Sequence, residues 1–257
     1  MLRILVKPVV CAVLVTVAVA LEADAKLIYV NQTASGANDG TSWQNAYTDL
    51  RAALIAAEND DVLWVAHGVY KPTTGTDRVA SFLIEHKRVS MYGSFVGTET
   101  NLAQRNIAAY PTVLSGDLAG NDTTDANGVV LDWEQIVGQD NSYNVVTVWG
   151  GDAGAVIDGF TITAGLEDST DGRCLPAQCG SGILTAGAHT VLKNVVMRGN
   201  RGVVNPGGAI YYWEGSGSVT DCSFIGNAGC QGGAVHLRST SVPFTRVLFQ
   251  NNDACDP

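Results

Sequence analysis

The sequence is short of charge, of helical pattern and of catalytic signatures, and each shortage narrows what the chain can be. Charged residues make up 16% of its 257 residues, and they form no Lys/Arg stripe that could release counterions from a phosphate backbone. With a net charge of −10 the chain repels nucleic acid, which is excluded as a partner. That acidic balance favours solubility and names no substrate. No Ser/His/Asp set, phosphate loop, cofactor fingerprint or paired C-x-x-C zinc pattern is present, so no cofactor is required. Only TDLRAALIAAEND has the look of a helix, with Leu50, Ala53, Leu54 and Ala57 at helical spacing and Thr48 as its expected N-cap.

Long apolar runs are missing as well. Arg3 and Lys7 precede an apolar stretch from Val9 to Leu21, followed by Ala23-Asp24-Ala25. This order of charge, apolar core and small-x-small site is that of a secretory signal peptide, residues 1–25, with cleavage expected after Ala25. An uncleaved anchor is the alternative, but the run of about 13 residues falls short of the ~20 that span a bilayer. Residues 26–257 are therefore expected to work outside the cytoplasm, secreted or at the outer cell surface. Membrane association would come only through the leader or through a region beyond the last residue.

What the chain has in quantity is glycine, 29 residues, within a 46% apolar composition. That pairing suits short strands joined by tight turns, in one domain large enough for a real core. The second half repeats itself. VVMRGN, CSFIGN and VLFQNN end at Asn200, Asn227 and Asn252, spaced 27 and 25 residues, and GSGI, GGAI and GGAV follow the same two spacings. Within each repeat apolar positions alternate: Leu192, Val219, Phe244; Val195, Cys222, Val247; Met197, Phe224, Phe249. Period two means strands with one buried face.

A unit of this size cannot bury its own apolar face, so copies must stack until those faces form one core. The predicted fold is all-β: a right-handed parallel β-helix of roughly five coils, each made of two strands and a third shorter stretch, with the helix plugging its N-terminal end. Asn200, Asn227 and Asn252 should share a corner and bond along the stack. SGDLAGNDTTDANG reads as a loop outside the coils. The chain stops at NNDACDP with its apolar ladder facing nothing, so the domain is expected to lack its C-terminal cap.

Five cysteines follow the leader. Cys230 and Cys255 each lie three residues after a ladder Asn. One coil apart, at about 4.8 Å, they fall inside the span of about 4.4–6.8 Å that a disulfide accepts. Cys174 and Cys179 flank LPAQ and are placed to pair with each other. Cys222 belongs to the inward ladder as a small buried hydrophobe.

Two constellations bear on binding. On the outward parity of the Gly-started strands, Tyr211 and Trp213 stand on one coil and His236 and Arg238 on the next. Aromatic faces beside a cation suit sugar rings and their carboxylates, and Arg238 is the one weak catalytic candidate, as the base of a lyase. The plainer reading is a face of strand-favouring aromatics covered by a loop. Asp117, Asp122, Asp125 and Asn127 offer hard oxygen donors for Ca²⁺, against the reading of an ordinary turn-rich loop. Asp60-Asp61 reads as a solvated turn.

The stretches IYVNQTASGANDGTSWQNAYTDLRAAL, MYGSFVGTETNLAQRN, TVLSGDLAGNDTTDANG and AVIDGFTITAG resemble secreted bacterial proteins of the right-handed parallel β-helix, pectate-lyase-like superfamily. The later GGAI with FIGN, and GGAV with FQNN, are similar to the GGA[ILV] and FxxN repeats of chlamydial polymorphic outer-membrane proteins. The resemblance implies a β-helix at the cell surface or outside the cell, acting as a structural, adhesive or glycan-binding module with a polysaccharide or host-surface glycan as partner. It also keeps open a polysaccharide lyase, a glycoside hydrolase, or an inactive N-terminal fragment of a longer surface protein. The hydrolase pattern N-T-D, G-H-G and R-I-K is absent, AHG at Ala66 to Gly68 being its nearest approach.

Overall fold

The computed structural model describes residues 24–169, 179–203 and 207–254. Most of the expected leader, residues 1–23, lies outside them, as do Cys174 and Cys255. Among the described residues no helix is long and apolar enough to cross a membrane.

The chain winds into a solenoid with four parallel sheets, and in every sheet the strands follow one another in chain order. The seven-stranded sheet runs from Leu27–Val30 through Asp61–Ala66, Arg88–Phe95, Gly154–Asp158, His189–Lys193 and Ser216–Thr220 to Phe244–Thr245. A six-stranded sheet runs from Gly68–Tyr70 to Leu248–Gln250, and a five-stranded sheet from Phe82–Glu85 to Val235–Arg238. The expectation of two strands and a short stretch per coil missed a fourth sheet of two-residue strands: Leu166–Glu167, Arg201–Gly202, Ala228–Gly229 and Asp253–Ala254. Strands so brief carry no alternation to read.

The inward ladders are those of the sequence pattern. Ile157, Leu192, Val219 and Phe244 are in register, as are Ile162, Met197, Phe224 and Phe249. Phe224 is fully buried and stacks on Phe249 with centroids 5.1 Å apart and planes at 11°. Asn200 and Asn227 are also fully buried. Each ladder Asn accepts from the one before it: Asn200 Nδ2 donates to Asn227 Oδ1 at 3.0 Å and Asn227 Nδ2 to Asn252 Oδ1 at 2.9 Å. The same amides also donate to the carbonyls of Ile162, Met197 and Phe224. A buried polar column is tolerated because its members are bonded to one another and to the backbone.

The helix spans Leu50–Ala56 and is capped by Asp49, whose side chain accepts from the Arg51 amide, so Thr48 stands one residue outside the cap. Leu50, Ala53, Leu54 and Ala57 are buried in the main core, and the helix packs on Leu27–Val30 and Phe82–Glu85, the first strands of two sheets. Its last carbonyls are met by Lys87, whose ammonium donates to Leu54 O and Ala57 O. Asp61 is no solvated turn residue. It is buried and accepts from the amides of Lys26 and Glu58, while Asp60 is exposed and pairs with Arg88 at 2.7 Å.

The segment between Thr112–Ser115 and Val146–Trp149 is an insertion outside the coils, as its composition suggested. It lies against the Asn corner: Val130 N donates to Thr163 Oγ1 at 3.1 Å, Trp133 N to Gly226 O at 3.0 Å, and Arg198 Nε to Leu131 O at 2.9 Å.

Candidate functional site

One outward column of the five-stranded sheet gathers the site. The strands Phe82–Glu85, Val146–Trp149, Ile183–Ala186, Ile210–Trp213 and Val235–Arg238 put Glu85, Trp149, Ala186, Trp213 and Arg238 in register. Trp149 and Trp213 sit two rungs apart with only a methyl group between them. Their rings lean across Ala186 to a centroid distance of 6.2 Å at 68°. Ala186 is the residue that makes this possible, since any larger side chain there would fill the space between the indoles.

The backbone leaves each strand through glycine on two of these rungs, at Gly150-Gly151 and Gly187, so no side chain rises from the floor beside the indoles. The result is a cleft of about 250 Å³ lined by Trp149, Gly150, Gly151, Ala186, Gly187, Trp213 and Glu214. Both indoles are half-buried and Glu214 is exposed at the rim. Trp213 Nε1 is itself buried and has no hydrogen-bond partner among the described residues. Arg238 is exposed and holds its guanidinium 5.8 Å from the Trp213 ring centroid.

The four residues expected to bind ligand are thus brought onto neighbouring rungs, with unequal access. Tyr211 is fully buried, packed with Cys179, Leu184 and Ala186, so it offers no surface to a ligand and the plainer reading of a covered face holds for it. His236 is half-buried, its ring 5.1 Å from that of Tyr211, and its Nδ1 lies 2.9 Å from Gln231 O. Strand parity gives the side on which a residue emerges, and Tyr211 does emerge outward; it does not show what packs over that side. Trp149 escaped sequence reading because the segment that precedes Ile183–Ala186 breaks the repeat spacing that would have aligned VTVW with IYYW.

The aromatic group at the other end is closed by contrast. Tyr29, Trp43, Trp64 and Phe95 pack edge to face, tilted or stacked at 4.8–6.4 Å, Trp64 and Phe95 are buried, and Trp43 Nε1 donates to Glu99 O at 2.8 Å.

A second cleft of about 320 Å³ lies around the corner on the seven-stranded sheet, lined by Asp60, Arg88, Val89, Ala155, Val156 and His189 among others. Arg88 holds Asp60 in a two-pronged contact of 2.9 and 2.7 Å, and this bond keeps the Asp60 carboxyl below its ordinary range. Between the two clefts, His86 Nδ1 meets Asp152 Oδ1 at 2.8 Å, with both side chains exposed.

The residues expected to bind Ca²⁺ do not converge. Asp117 accepts from the amides of Gly120 and Asn121, Asp125 from those of Asn127 and Val129, and Asp122 from Val137 N and Asn141 Nδ2. Burial pushes the Asp122 carboxyl above its ordinary value, and Asp117 and Asp140 add to this. Among the described residues no three His, Cys, Asp or Glu side chains are placed to hold a metal. These carboxylates fasten the loop to itself, as Asx turns do.

Cys179 is disulfide-bonded, and its expected partner Cys174 falls outside the described residues. Cys230 donates to Val203 O at 2.7 Å, and the other half of its expected bridge, Cys255, is likewise outside them. Cys222 is buried and its thiol is pushed up to about 11, chiefly by that burial, which suits a packing role.

The fold and the site together define a parallel β-solenoid with an aromatic cleft open along one corner. Comparison with family profiles, with curated proteins and with solved structures finds no match to this chain.

Proposed function

We propose that this chain is a glycan-binding module: a right-handed parallel β-helix with the Leu50–Ala56 helix as its N-terminal cap, exported and displayed outside the cell. The handedness rests on the general preference of parallel crossovers. Export rests on the leader-like first segment, and the placement outside the cell is also what the pectate-lyase-like and polymorphic outer-membrane resemblances imply. The observation that carries the binding function is the Trp149/Trp213 cleft. Two indoles border an open space floored by Ala186 and three glycines. Sugar rings present apolar C–H faces and hydroxyl edges, and a face of indole with a nearby carboxylate matches both.

Retention on immobilised neutral and acidic polysaccharides tests this. The unmodified chain is expected to bind at least one of them, with Trp149→Ala and Trp213→Ala each weakening binding by roughly tenfold, about 1.4 kcal/mol, while melting temperature stays close to the parent's. Equal retention of the parent and the double variant on every polysaccharide would remove the cleft from the function. Release of shortened chains in the same assay would make the protein a degrading enzyme instead.

A further inference from the structure

We infer that the aromatic cleft selects sugars carrying a free amine, with Glu214 as the residue that sets this preference; the inference rests on the glycan-binding reading of the same cleft. The first observation is electrostatic. Glu214 lines the cleft, and Glu85 stands on the rung next to Trp149 and in register with it, so carboxylates occur at both ends of the indole pair. Among the described residues the other charges near this corner are Arg238, whose guanidinium lies over Trp213, Lys87, which is turned away to the carbonyls of Leu54 and Ala57, and the His86–Asp152 pair, in which Asp152 offsets His86. Indole faces attract cations, and a carboxylate beside them completes a site for an ammonium group. The whole chain, at −10, raises the local concentration of cationic ligands.

The second observation is that the ring chemistry is already in use within the molecule. Arg238 takes one face of Trp213, whereas Trp149 enters none of the cation–π contacts among the described residues. The free indole is the one nearer Glu85. A neutral hexose would bring nothing to these two carboxylates beyond hydroxyl donors, and a uronic acid would be repelled by them. An amine-bearing hexose supplies a cation where the cleft is electronegative and an apolar ring face where it is aromatic.

The third observation is the backbone of Glu214, with φ of +54°. The corresponding corner positions on the other rungs are Gly150 and Gly187, and His86 and Ser239 at φ of +51° and +54°. A residue with a β-carbon is mildly strained in this region and glycine is not. The position separates the two roles: Glu214→Gly relieves the backbone and removes the carboxylate in one step.

Affinity for three tetramers of one linkage decides the matter: β-1,4-linked glucosamine, its N-acetylated form and the glucose equivalent. The titration is run below the pKa of the sugar amine and above the carboxylate range. The amine form is expected to bind roughly tenfold more tightly than the other two. Glu214→Gln should abolish that difference, and Glu214→Gly should do the same while melting at or above the parent temperature. Equal binding of the three tetramers, or a preference that survives Glu214→Gln, overturns the amine inference and leaves the glycan-binding reading standing. Failure of the glucosamine tetramer to bind, alongside retention of another polysaccharide that depends on Trp149, has the same meaning. No binding of any glycan overturns both.

Discussion

At the scale of single residues, His86 and Asp152 make a pH-sensitive clasp between two rungs. The hydrogen bond to Asp152 is the main reason the imidazole of His86 titrates above its ordinary value of 6.5, and the same bond holds the Asp152 carboxyl below 3.8. A His with a raised folded pKa contributes stability that is complete below 6.5 and fades as pH rises through the folded value. The depressed Asp contributes above 3.8 and fades as pH falls through its own folded value. The clasp is therefore fully formed between those two limits and loosens on either side. In an NMR titration His86 should show its midpoint above 6.5, and Asp152→Asn should lower it; an unchanged midpoint would show that the bond is not formed in solution. Residue-scale reading of the sequence found Trp213 and Arg238, because period-two alternation fixes the side on which a side chain emerges. It overvalued Tyr211 for the same reason, since what packs over a sheet face is a tertiary matter. The acidic loop residues were legible as oxygen donors, but backbone amides of the same loop claim them, and sequence spacing does not distinguish an amide from an ion.

At the scale of elements, the long insertion is held to the solenoid by close approach of backbone to backbone. Gly199 has φ of +60°, and a Cβ there would lie 2.4 Å from the Val130 carbonyl oxygen. Gly199→Ala thus combines left-handed strain, about 1–2 kcal/mol, with a clash that only movement of the insertion can relieve. Limited proteolysis should cut this variant within residues 117–141 faster than the parent, while its strand signal in circular dichroism persists. Cleavage at the parental rate would mean that the insertion does not depend on this contact. The strands themselves were readable in the sequence wherever they were long enough to alternate, and the helix was readable from Leu50, Ala53, Leu54 and Ala57. Asp49 displaced Thr48 as cap because boundaries are set by backbone geometry at a single residue. The two-residue strands were invisible because they are fixed by the rungs above and below, with no local preference of their own.

At the scale of the whole molecule, successive rungs are coupled by ladder hydrogen bonds and stacked apolar side chains, and the last three also by the Asn column. Asn227 stands in the middle of that column, accepting from Asn200 and donating to Asn252 and to Met197 O. Asn227→Ala would leave buried partners unsatisfied on both sides, at a cost of about 1–3 kcal/mol for each. A midpoint shift in urea equivalent to about 3 kcal/mol is expected, with Asn252→Ala, half-buried at its rung, costing less. Equal and small effects for both would show that water replaces the column readily. The stacking also makes the solenoid a ruler. Positions in one column can be separated only by whole steps of about 4.8 Å, so Trp149 and Trp213, two rungs apart, have their anchor points fixed near twice that distance. No point substitution can tune this separation continuously. That spacing can change only by gaining or losing a complete turn of the chain.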